Sequence, residues 1–272
     1  SYVSNAGIFG IPLGIAVNIV IVFLIFGALM ERAGASRWFM DLALCLTGWS
    51  RGGPAKAAVL ASAMFGSISG SPSANSLIGV QLGQAAAAAV EAVASTGGMI
   101  LPPVMGAIAF LMAEWIGRPY VEVVAAALLP ALLYFLIVFL SVHFEARRNG
   151  IKAIPRADLP RFWATLKGGW YYALPIIALV WFLIVQQMPP GMAGIYASLV
   201  VFACSFLSRE RSYWLLPMPI VLALRDAVMR WLVIVAITAA VGIMIGALEL
   251  SGVGINVSRF IVDLGGGNLI TT

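Results

Sequence analysis

Residues 66–103 decide how this chain is read: GSISGSPSAN (66–75), SLIGVQLGQAAAAAVEAVA (76–94) and STGGMILPP (95–103). Both ends are small, hydroxyl-rich and helix-breaking, yet both sit in sequence apolar enough for a bilayer. A break at membrane depth is costly, because freed amides and carbonyls find no water there. Such breaks persist where the loosened backbone lines a cavity, and in secondary transporters that cavity holds substrate and coupling ions. The rest of the chain reads as scaffold around these two breaks.

Composition agrees with a bilayer setting. Of 272 residues, 62% are hydrophobic and only 10% charged, against about 25% charged in soluble domains. Mean hydropathy is +1.01. The apolar runs are long and continuous, which excludes the short alternating segments of a β-barrel and indicates an all-α polytopic membrane protein. The net charge of +5 gathers in a few loops and is no nucleic-acid signal. Cys45 and Cys204 are isolated thiols, read as packing residues rather than a disulfide framework or metal site. The chain starts at Ser1, ends on LGGGNLITT, and reads as a fragment of something longer.

Taken in order, residues 1–52 form a scaffold span (8–30) and an interfacial arm helix (34–49) carrying Arg37 and Asp41 on its wet face. Residues 53–118 form half of a transport domain. Two half-length helices around the tip at 66–75 make a re-entrant hairpin, and a discontinuous helix follows, interrupted at 95–103 by Gly97, Gly98, Pro102 and Pro103. Residues 119–168 are a span kinked at Pro130 and a basic loop. Residues 169–230 hold a scaffold span starting at Trp170, a second one over 191–207, and the start of a long helix on which Asp226 is solvated or locally paired. Residues 231–272 are a further span and arm. If the 143–167 loop is cytoplasmic, only Arg118 and Arg259 of the 16 basic residues fall outside. That bias puts the N-terminus of the chain in the periplasm.

FGALMERAGASRWFMDLAL (26–44) parallels IGALELSGVGINVSRFIVDL (245–264). Each has a helix end, a polar turn and Arg-x3-Asp-Leu, with Arg37 and Asp41 matching Arg259 and Asp263. The topology puts the copies on opposite sides, as in an inverted repeat. It is incomplete, because a second hairpin is expected after Asp263.

FGSISGSPSAN followed by AAAAAVEAVASTGGMILPPVMGAIAFLMAEW resembles the large membrane subunit of TRAP (tripartite ATP-independent periplasmic) transporters, of the fused permease type that works with TAXI-type binding proteins. The likeness is most specific over 57–115. It implies an elevator fold of the ion-transporter superfamily and sodium-coupled import of an organic acid across the cytoplasmic membrane. Its implied partners are a periplasmic TAXI-type substrate-binding protein and a small membrane subunit or fused equivalent. It also implies one half-site for sodium and substrate, formed by Ser67, Ser69, Gly70, Ser71 and Asn75 at the tip with Ser95, Thr96, Gly97, Gly98, Pro102 and Pro103 at the break. The coupling ion is the one cofactor implied, and the implied activity is transport rather than enzymatic.

The residue types suit that role. Sodium takes oxygen ligands, and unwound carbonyls with Ser, Thr or Asn oxygens provide them without burying a carboxylate. Half-helix N-termini favour an anionic substrate. The other reading of the small and hydroxyl residues is close helix packing in lipid. Glu91 stays open: it holds a cation or proton, pairs with an arginine, or reaches the interface. An intramembrane serine protease needs a base beside its nucleophile, and the only histidine, His143, lies at a helix end. An ATP-driven pump is disfavoured, since no G-x4-G-K-[ST] loop occurs. A non-transporting scaffold or assembly subunit, or a proton-coupled transporter, is the alternative class.

Overall fold

A computed structural model describes residues 7–69, 84–150, 154–155, 159–208, 210–253, 256 and 260. Among these residues all regular structure is helical. In chain order the helices are α1 (Ile11–Arg32), α2 (Ala35–Thr47), α3 (Gly53–Ser69), α4 (Gln84–Gly98), α5 (Ala107–Ile116), α6 (Tyr120–Arg148), α7 (Phe162–Val185), α8 (Pro190–Ser205) and α9 (Pro217–Ser251). Helices α1, α6, α7 and α9 are long and apolar enough to cross a membrane. The second arm match, Arg259 and Asp263, and most of the inverted-repeat segment lie outside the described residues.

The chain divides into two units, residues 1–18 with 231–272, and residues 19–230. In the first, the Trp231 indole N–H donates to the Ala16 carbonyl at 2.8 Å. That carbonyl opens a π-helical turn, Ala16–Val20, where a wider spiral frees backbone acceptors for side-chain donors.

The second unit is built outward from α3, whose neighbours are α1, α2, α4 and α6. Ten of its 17 residues are alanine, glycine or serine, so these helices approach closely with little interlocking of large side chains. Ala57 and Ala61 meet Met40 and Ala43 of α2 on one side. On the other, Ala55, Ala58 and Val59 meet Ala94 of α4 and Val138 and Val142 of α6. The arm helix α2 is amphipathic, as its sequence indicates: Trp38, Phe39 and Leu42 are buried while Arg37 is exposed. The outward flank of α6 shows Leu129, Leu132, Leu136 and Ile137 to the surroundings, which suits lipid contact.

Three local expectations are corrected. Helix α7 starts at Phe162 rather than Trp170, because Trp170–Tyr172 form a 3-10 turn that carries the helix on. Asp226 is not locally paired; its carboxylate takes the Arg32 guanidinium of α1, and Arg230 pairs with Glu31 at 3.0 Å. The third correction concerns the break itself.

Candidate functional site

The discontinuous helix breaks later than its sequence indicates. Helix α4 runs through Ser95, Thr96, Gly97 and Gly98, and the interruption occupies residues 99–106. The reason is packing. Ser95 and Thr96 turn their hydroxyls back onto their own helix, toward the Glu91 carboxylate at 3.3 Å and the Ala92 carbonyl at 2.8 Å. A methyl group on Gly97 would overlap the Tyr134 ring and come 2.7 Å from that of Phe135. Gly98 faces backbone: its Cβ would stand 2.8 Å from Gly66 Cα and 3.2 Å from the Ser62 carbonyl oxygen. These glycines are contact positions, and hydrogen bonds within one helix turn keep the segment helical.

Past Gly98 the backbone leaves the helix but not its partners. The Met99 and Ile100 amides bond to Thr96 and Gly97 carbonyls at 3.1 Å, closing the helix with a tight turn. Gly106 N–H returns to the Met99 carbonyl at 2.6 Å. Pro102 and Pro103 have no amide to satisfy, which lowers the cost of unwinding here. Met105 is buried with φ +61°, a left-handed conformation that non-glycine residues rarely adopt. The Tyr120 hydroxyl lies within hydrogen-bond distance of the Pro103 and Val104 carbonyls, and its ring stacks on Phe110.

The end of α3 meets this break. Val104 N–H donates to the Ser67 carbonyl at 3.0 Å, and Gly66 crosses Gly98 backbone to backbone. Ser67 is buried, with its hydroxyl on the Met64 carbonyl at 2.9 Å. Ser69 closes α3, while Gly70, Ser71 and Asn75 lie outside the described residues. The two segments singled out from sequence are therefore adjacent at Ser67, Gly98 and Val104, with Pro102 and Pro103 in the same loop.

Glu91 sits one helical turn before Ser95. Its carboxylate accepts from the buried Ser62 hydroxyl of α3 at 3.2 Å and from Ser95 at 3.3 Å. Among the described residues, no lysine or arginine pairs with it. The Ser95 contact was legible as an i, i+4 pair; the Ser62 contact, 29 residues away, left no sequence signal.

Sequence reasoning also missed a buried cation. Lys56 of α3 is 2% exposed. Its ammonium donates to the Ser50 hydroxyl at 2.9 Å and to His143 Nδ1 of α6 at 2.8 Å, with the Phe139 ring centroid 5.1 Å away. The imidazole must be neutral at Nδ1 to accept.

A cavity of about 590 Å³ adjoins the break between α5 and α6. Its lining is apolar apart from Thr96, Arg118 and Glu122, and the last two are paired at 3.3 Å. Among the described residues lining it, a carboxylate substrate finds no unpaired cation.

Unwound backbone between the short apolar helices α4 and α5, packed against the end of α3 in a chain with four membrane-length helices, is the kind of break found in membrane transporters. Residues 12–272 match the family described as the tripartite ATP-independent periplasmic transporter, DctM component, and the chain belongs to that family. It is 31% identical over 201 residues to the C4-dicarboxylate TRAP transporter large permease protein DctM of Pseudomonas aeruginosa. That match covers 69% of this chain and 46% of the relative, so the chain spans about half the length of the curated relative it matches. The family is one of transport components, not enzymes.

Proposed function

We propose that this chain provides half of the substrate and ion site of a sodium-coupled importer of organic carboxylates, working by an elevator movement. The observation that carries this reading is the junction of the α3 end with the α4 break, through Gly66, Ser67, Gly98 and Val104. Unwound carbonyls at such a junction suit a hard monovalent cation. The tip residues Ser69, Gly70, Ser71 and Asn75 belong to the same half-site. The relative's substrate class makes a C4-dicarboxylate the first candidate. A periplasmic TAXI-type binding protein delivers it, and a small membrane subunit, or its fused equivalent, completes the complex in the cytoplasmic membrane. The N-terminal end of the chain faces the periplasm.

Glu91 favours a second reading for the coupling ion. A carboxylate held by two hydroxyls, with no basic partner among the described residues, can take up a proton without breaking an ion pair. The test is uptake of labelled succinate by the full-length protein in proteoliposomes with its binding protein. A sodium gradient should drive accumulation and an equal potassium gradient should not. Accumulation driven by a pH gradient alone, and lost in Glu91→Gln, would replace sodium by protons. No uptake under any gradient, with binding protein and substrate class varied, favours the scaffold reading.

A further inference from the structure

A second polar pocket lies away from the break, between the arm helix, the start of α7, Ser208 and the 210–213 turn. Its volume is about 360 Å³. Arg37 and Asp41 enter it from α2, one helical turn apart, and Glu210 and Tyr213 from the turn, with Trp38 and Tyr171 among its aromatic lining. The wall is firmly built. Trp38 donates its indole N–H to the Thr165 carbonyl at 3.0 Å, and Tyr172 bonds the Ala33 carbonyl. Gly34 has φ +93°, and a Cβ there would stand 2.8 Å from the Tyr213 ring. The backbone at Gly34 therefore approaches the Tyr213 ring more closely than any other residue type would allow.

The charges are arranged for a zwitterion. A guanidinium forks onto a phosphate, while two carboxylates and the faces of aromatic rings attract an ammonium. We propose that this pocket binds the phosphoethanolamine headgroup of a phospholipid, the phosphate on Arg37 and the ammonium between Asp41 and Glu210. The amphipathic sequence of the arm, with Arg37 exposed, suits a place at the membrane surface, where such headgroups are found. Partial burial pushes the Asp41 carboxyl up, against the opposing pull of Arg37. The Tyr213 hydroxyl first, then Asp41 and Glu210, hold the Arg37 proton more firmly than usual. An anionic phosphoglycerol headgroup meets two carboxylates here, and a choline headgroup has no N–H to donate to them.

The full-length protein in nanodiscs of phosphatidylcholine, alone or mixed with phosphatidylethanolamine or phosphatidylglycerol, tests this. Native mass spectrometry and thermal unfolding are the readouts. Phosphatidylethanolamine should be retained and should raise Tm selectively. Arg37→Gln and Glu210→Gln should each weaken retention about tenfold, the loss of one charge-assisted hydrogen bond, while their Tm in phosphatidylcholine alone reports folding. Asp41→Asn is the second variant if either fails to fold. Equal stabilisation by phosphatidylglycerol, or undiminished retention in the folded variants, overturns the proposal. So does protection by soluble phosphoethanolamine with none by the lipid, which would make the ligand a solute. Uptake plays no part in these readouts, so they stand apart from the transport reading.

Discussion

The buried Lys56 shows how a single residue can tie two elements together. Its ammonium has two polar partners, Ser50 and His143, and an aromatic ring. Removing one acceptor leaves the charge under-solvated, whereas removing the charge does not. His143→Ala should therefore destabilise the protein by about 1–3 kcal/mol, seen as a lower thermal midpoint in detergent. Lys56→Met should cost less, because the thioether keeps the volume and buries no charge. A Lys56→Met variant less stable than His143→Ala would contradict this account. Neither partner was legible in sequence. His143 read only as a helix end, since a contact across 87 residues leaves no local periodicity. Glu91 was half legible, through Ser95 but not through Ser62.

At the scale of elements, the close crossing of α3 and α4 at Gly66 and Gly98 depends on the absence of side chains. A Cβ on Gly98 meets backbone atoms of Gly66 and Ser62, which cannot swing aside as a side-chain tip would. Gly98→Ala should separate the helices locally, costing about 1–3 kcal/mol by overpacking. Gly66→Ala acts on the same contact, so the double variant should lose less than the sum of the two. Full additivity in thermal unfolding would mean that the two glycines do not share one crossing. Sequence indicated that small residues and prolines cluster here, but assigned the glycines to the break. Gly-Gly permits both unwinding and close approach; the neighbours Tyr134, Phe135 and Gly66 decide between them, and they come from elsewhere in the chain. The unwinding falls instead at residues 99–106, where Pro102 and Pro103 supply no amides.

For the molecule as a whole, composition alone gave the class, because 62% apolar residues leave few alternatives to a polytopic helical protein. The spans at α1, α6, α7 and α9 were legible from their length. Cross-helix pairs such as Arg32–Asp226 and Glu31–Arg230 were not, being 194 and 199 residues apart. The central claim is that the α3–α4 junction is half of an ion site, and sodium-dependent stability tests it most directly. Thermal unfolding of the full-length protein is recorded in sodium and in potassium at equal ionic strength, for the wild type, Gly98→Ala and Ser95→Ala. A ligand bound only by the folded state stabilises it by about 2.7 kcal/mol at a hundredfold excess over Kd. The account predicts a sodium-specific rise in the wild-type midpoint that shrinks in Gly98→Ala while unfolding in potassium stays cooperative. Identical wild-type curves in the two salts, or an undiminished sodium shift in Gly98→Ala, would contradict it.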